Sequence, residues 1–130
     1  MNGRVLLDTN IVIALFAQDE AILEGLDNAV SVFVPSIVLG ELFYGAYRSR
    51  RFDENMTRVE EFASASPVLD CDGTTARHYA QIKNRLREAG RPIPENDIWI
   101  AAIARQHGLT LVSRDFHFAE VEGLEVMVWQ

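Results

Sequence analysis

The stretch Val5-Leu6-Leu7-Asp8-Thr9-Asn10 constrains the chain more than any other. Three apolar residues run directly into an acid, a hydroxyl and an amide. An unbroken apolar run that stops on polar residues reads as a strand covered on both faces and ending at solvent. Asn10 or Thr9 then caps a helix that starts at Ile11. An acid at such a strand-to-helix junction sits where open α/β sheets carry their chemistry. Alone, Asp8 reads as a turn or cap residue; three later acids reverse that.

The strand-then-helix pattern recurs. Residues 30–34 (VSVFV) form a second strand ended by Pro35, and Ser36 caps a helix over 37–47. That helix is apolar nearly all round, with Glu41 its one acid, so it calls for cover on more than one side, in part from another subunit. The helix over 11–16 is equally apolar and is expected to be buried. Arg48-Ser49-Arg50-Arg51 breaks the apolar run, and Asp53 caps the helix that follows. Residues 67–69 form a weak third strand. A long helix runs from Asp72 or Thr74 to Ala89, where Gly90 stops it. Arg91-Pro92-Ile93-Pro94 is a constrained loop. Asn96 caps an almost wholly apolar helix over 97–106, the central packing helix, ended by Gly108. Residues 109–113 give a fourth strand, and 125–129 a short last strand at an edge. Strands alternating with helices predict one α/β domain, residues 1–130, with a parallel sheet and helices on both faces. In that fold, helix starts and strand ends share one edge of the sheet.

Four acids fall on that edge. Asp8 ends strand one, Asp115 follows strand four, Glu41 lies in the second turn of the helix after strand two, and Asp97 opens the helix before strand four. Glu41 and Asp97 are lone acids among apolar neighbours, with no lysine or arginine at helical spacing inside their own helices. A buried carboxylate protonates or finds a cation. An all-oxygen set without histidine or cysteine suits Mg2+ or Mn2+, one or two ions, rather than zinc. Carboxylate-held metals with open water positions are apparatus for phosphodiester cleavage.

Composition narrows the remainder. Twelve basic against nineteen acidic residues give a net charge of −7, which argues against coating nucleic acid by charge alone. One cysteine, Cys71, makes neither an internal disulfide nor a zinc site, and its neighbours Asp70 and Asp72 disfavour a reactive thiol. No apolar stretch reaches membrane-spanning length, and the expected location is the cytoplasm.

Leu6-Leu7-Asp8-Thr9-Asn10, Gly40-Glu41-Leu42, Pro94-Glu95-Asn96-Asp97-Ile98-Trp99-Ile100-Ala101-Ala102 and Ser113-Arg114-Asp115 together resemble the PIN-domain family, and within it the VapC-type ribonuclease toxins of bacterial toxin–antitoxin pairs. The resemblance spans essentially the whole chain. It implies a five-stranded parallel sheet in the order 3-2-1-4-5 flanked by helices, and metal-dependent cleavage of RNA, often a transfer RNA. By the same resemblance Asp8, Glu41, Asp97 and Asp115 are the catalytic, metal-holding acids, with Thr9 and Ser113 as accessory hydroxyls. It further implies a VapB-like antitoxin and a homodimer, joined with the antitoxin into a heterotetramer or larger assembly. Some relatives carry Asn where Arg114 stands, which leaves local substrate contacts open.

Other residues carry plainer readings. Asn10 and Asn96 are caps. Arg48, Arg50 and Arg51, and likewise Lys83, Arg85, Arg87 and Arg91, are a solvated surface or contacts to RNA phosphate. His78, His107 and His117 share no spacing and read as surface or packing residues, with a place at the site's rim the lesser reading for His117. Two rival functions use the same fold. A receiver-type phosphoacceptor needs an acidic pair after strand one and a lysine after the last strand, and the chain has neither. A non-catalytic binding module has no use for a complete set of four acids.

Overall fold

The computed structural model describes residues 3–130. Five strands, β1 (Arg4–Leu7), β2 (Ser31–Pro35), β3 (Val68–Leu69), β4 (Thr110–Val112) and β5 (Val126–Met127), form one sheet in the order β3-β2-β1-β4-β5. Every pairing is parallel. The sheet is flanked by α1 (Thr9–Phe16), α2 (Glu20–Asn28), α3 (Ser36–Tyr47), α4 (Phe52–Ala65), α5 (Gly73–Glu88) and α6 (Glu95–His107), and a 3-10 helix spans Phe116–Glu120. The expected α/β class and strand order hold.

The core explains the order. Val5, Leu6 and Leu7 are buried because β1 has a strand on each side and helices over both faces. Five consecutive residues of α6, Ile100 to Ala104, are fully buried, which makes α6 the central packing helix the sequence predicts. Gly108 takes a left-handed φ of 64° to end it. α5 packs along α6, and α4 along α3. Among the described residues no helix is long and apolar enough to cross a membrane.

Several details differ from the expectations. α1 begins at Thr9, and its cap is Asp8, whose carboxylate accepts the Thr9 N–H; neither Thr9 nor Asn10 caps it. Pro35, Arg51 and Pro94 occupy the cap positions of α3, α4 and α6 without a side-chain bond, so Ser36, Asp53 and Asn96 lie inside helices. Asp72 does cap α5, in a reciprocal box with Thr75. The all-apolar helices are not buried all round: Ile13 is 56% exposed, Tyr44 61% and Tyr47 68%.

Candidate metal centre

Sheet register builds the site. Leu7 lies level with Val112, and the Asp8 N–H continues the ladder to the Val112 carbonyl at 3.0 Å. Asp8 therefore emerges beside Ser113 at the carboxyl ends of the two central strands. The Ser113 hydroxyl donates to Asp8 Oδ2 at 2.7 Å, and the Thr9 N–H donates to Oδ1 at 2.8 Å. Asn10 Nδ2 adds a longer bond to Oδ2 at 3.3 Å. Asp8 is only 4% exposed. Burial pushes its carboxyl above the usual range; the Ser113 and Thr9 bonds pull it back, and the charge of Asp115 adds to the rise.

Asp97 sits in the first turn of α6, where the helix dipole favours a negative charge. Its carboxyl is nevertheless pushed up to about 6, first by burial and then by the charges of Asp8 and Asp115, against a hydrogen bond to His117. Asp115 follows β4 and caps the 3-10 helix by accepting the His117 N–H at 2.9 Å; its own N–H donates to Ser113 Oγ at 3.0 Å. This turn carries His117 Nδ1 to 3.2 Å from Asp97 Oδ2 and 3.0 Å from Asp115 Oδ1. One ligand atom from each of Asp97, Asp115 and His117 lies within 4.8 Å of the others. The His117 imidazole is held above its ordinary range, chiefly by the Asp97 bond.

Glu41 joins from α3 through Thr9, whose hydroxyl donates to Glu41 Oε1 at 2.9 Å. The structure thus brings Asp8, Asp97 and Asp115 into mutual electrostatic reach and ties Glu41 to them through one threonine. The negative charge of Asp115 adds to the rise at both Asp8 and Asp97. The donors are carboxylate oxygens with one imidazole nitrogen, a set that fits a divalent cation.

Asn10 and Arg114 take places the sequence reading does not give them, and His117 takes the lesser of its two. His117 accompanies the acids, so the site is not devoid of histidine. Asn10 is a strut rather than a cap: its Nδ2 reaches Ser113 Oγ at 3.4 Å, and its Oδ1 accepts the Arg114 N–H at 3.1 Å. Arg114 turns from the acids and donates to Asp19 Oδ2 at 3.0 Å and to the Trp129 carbonyl at 2.8 Å. The basic candidates divide. Lys83 pairs with Glu95, Arg85 with Glu122 and Arg91 with Glu120, while Arg51 lies 3.6 Å from Glu54. Arg48 lies over the Tyr44 ring and donates to its hydroxyl. Among the described residues Arg50 and Arg87 are exposed and form no ion pair.

Comparison with known proteins places nearly the whole chain in one family. The PIN-domain profile matches residues 5–124. The chain is 39% identical to "Ribonuclease VapC2" of Haemophilus influenzae over 97% of this chain and 98% of that protein. It is 36% identical to the "tRNA(fMet)-specific endonuclease VapC" of Shigella flexneri, with the same coverage. Among solved structures, DNA-bound VapBC from Salmonella typhimurium superposes with a TM-score of 0.90 at 33% identity, covering 98% of each chain.

Proposed function

The chain belongs to the PIN-domain family, and from that premise we propose that it is a metal-dependent endoribonuclease, the toxin of a toxin–antitoxin pair. The observation that carries this reading is the convergence of Asp8, Asp97 and Asp115 at one sheet edge, with Glu41 attached through Thr9. Asp8, Asp97 and Asp115 are the residues assigned to hold Mg2+ or Mn2+. A divalent cation bound there supplies Lewis acidity toward a phosphodiester and neutralises the charge that develops on it.

The chain's own groups set the stage for hydrolysis. Ser113 and the Thr9 N–H fix both oxygens of Asp8. Thr9 occupies Oε1 of Glu41, so Oε2 is the oxygen assigned to take a proton from the attacking water. The substrate is RNA, in keeping with the ribonuclease relatives, and a transfer RNA in keeping with the Shigella one. The partner is a VapB-like antitoxin, as in the VapBC complexes that share this fold. Beside Glu41, a groove of about 410 Å³ lined by Ile13, Phe16, Leu42 and Val59 offers an apolar seat for an antitoxin segment. The active form we propose is a homodimer, which would cover the exposed Tyr44 and Tyr47 of α3.

Purified protein should cut transfer RNA with Mg2+ or Mn2+ present and leave it intact with EDTA. Asp8→Asn and Asp97→Asn should each lower cleavage by about 100-fold or more with an unchanged circular dichroism spectrum. Full activity in either variant removes the assignment. Expression alone should arrest growth, and co-expression of the antitoxin should restore it.

A further inference from the structure

The turn Asp115-Phe116-His117 carries a nitrogen donor into an otherwise all-oxygen site. We propose that His117 Nδ1 is a direct ligand of the bound cation and sets its identity, giving the site a preference for Mn2+ over Mg2+. The inference rests on the metal-dependent reading above.

Spacing is the first support. Neighbouring ligands of an octahedral ion with bonds of about 2.1 Å lie about 3.0 Å apart. His117 Nδ1 lies 3.0 Å from Asp115 Oδ1 and 3.2 Å from Asp97 Oδ2. Both spacings from His117 match adjacent positions around one ion, and all three atoms lie within 4.8 Å of one another. Rigidity is the second support. The His117 N–H is fixed by Asp115 Oδ1 at 2.9 Å, and the next residue, Phe118, is fully buried as the anchor of the turn. The imidazole is held at the rim by backbone geometry rather than by a free loop.

Chemistry then gives the consequence. Magnesium prefers oxygen donors and parts reluctantly with its water, whereas imidazole suits first-row transition ions. One nitrogen among carboxylates tilts a site of this kind toward manganese. The alternative role is that His117 stands where the ion would stand, as a hydrogen-bond donor between two acids, and is expelled on binding. The two roles predict opposite effects of removing it.

Full-length wild type, His117→Ala and His117→Gln are titrated with Mn2+ and with Mg2+, following free Mn2+ by electron paramagnetic resonance. Wild type should bind Mn2+ at least about tenfold more tightly than Mg2+, and pulsed measurements should show coupling of bound Mn2+ to a 14N nucleus. Both variants should lose about tenfold in Mn2+ affinity and the nitrogen coupling, with Mg2+ affinity nearly unchanged. His117 is exposed enough for both to fold. Mn2+ binding that is equal or tighter in the variants, or wild-type binding without nitrogen coupling, overturns the ligand role and leaves the metal centre standing. Failure of wild type to bind either ion overturns the metal centre and this inference together.

Discussion

One hydroxyl group serves two acids of the site. Ser113, 1% exposed, donates to Asp8 Oδ2 and accepts the Asp115 N–H. In Ser113→Ala the Asp8 carboxylate stays buried but loses the bond that holds its proton affinity down. Divalent affinity should fall about 10- to 100-fold, as when other supports of metal ligands are removed. Stability should fall by about 1–3 kcal/mol. Calorimetric titration at pH 7 and pH 8 checks this, because higher pH should recover part of the affinity. Proton affinity also sets a stability profile. Asp97 keeps its proton up to about pH 6 in the fold, against 3.8 when unfolded. An acid whose folded value is raised contributes stability below its unfolded value and loses it as pH rises through the folded one. Asp8, also raised, acts in the same direction. His117, raised from 6.5, adds stability below that value that is lost as pH climbs past its folded value. His78, lowered from 6.5 by burial, acts the other way in this window, against two raised acids and His117. Metal-free protein should therefore melt lower at pH 7.5 than at pH 5.5, and Asp97→Asn should flatten that difference and melt higher than wild type at pH 7.5. Parallel melting profiles for the two proteins would show that the acids do not strain the fold.

Elements were legible wherever burial leaves a period or a run. β1, β4 and α6 stand out as unbroken apolar stretches, and their alternation with helices was enough for a parallel sheet. Helix starts were less so, because Asp8 serves at once as strand end, cap and site acid, and because Pro35 and Pro94 begin helices without a side-chain bond. The 3-10 helix is five residues long, too short to leave a period that would point to His117. The one local signal was an acid two residues before a histidine, the spacing at which a carboxylate accepts a backbone N–H and turns the chain. The closing of the fold was not legible either. Trp129 has a left-handed φ of 53°, and its indole lies against α2, where a Cβ on Gly25 would come within 2.4 Å of the ring. The same tryptophan's carbonyl receives Arg114, next in the chain to Asp115. Gly25→Ala should displace the Trp129 ring at a cost of about 1–3 kcal/mol. It should also free Arg114 from one partner and loosen the Asp115 turn. A lower melting temperature with a red-shifted tryptophan emission is the expected result; an unchanged spectrum would mean that the tail is not wedged by that ring.

At the scale of the whole molecule, a chain of net charge −7 repels RNA, so binding depends on where its few cations stand. Arg48 lies seven residues beyond Glu41, two helical turns or about 10 Å along the α3 axis and on nearly the same face. Arg50, exposed and without an ion pair among the described residues, follows at once. On the α5 side Lys83, Arg85 and Arg91 are already matched with Glu95, Glu122 and Glu120, while Arg87 stands there without an ion pair among the described residues. Exposed pairs of that kind are worth about 0–1 kcal/mol, so they do not forbid RNA contact, but a phosphate there must first displace a glutamate. Arg48 and Arg50 meet no such competitor among the described residues, and Arg48 stands on nearly the same face of α3 as Glu41. RNA should therefore cross the end of α3. Each phosphate contact to a single strand contributes about 0.7 to the slope of log affinity against log salt. Binding measured on the inactive Asp8→Asn protein, so that substrate survives, should lose about 1.4 of slope in the Arg48→Ala, Arg50→Ala double variant. Arg85→Ala should change the slope by less than half of that, since its pairing with Glu122 already withholds the charge. The reverse ranking would move the RNA track onto the α5 side and separate it from Glu41.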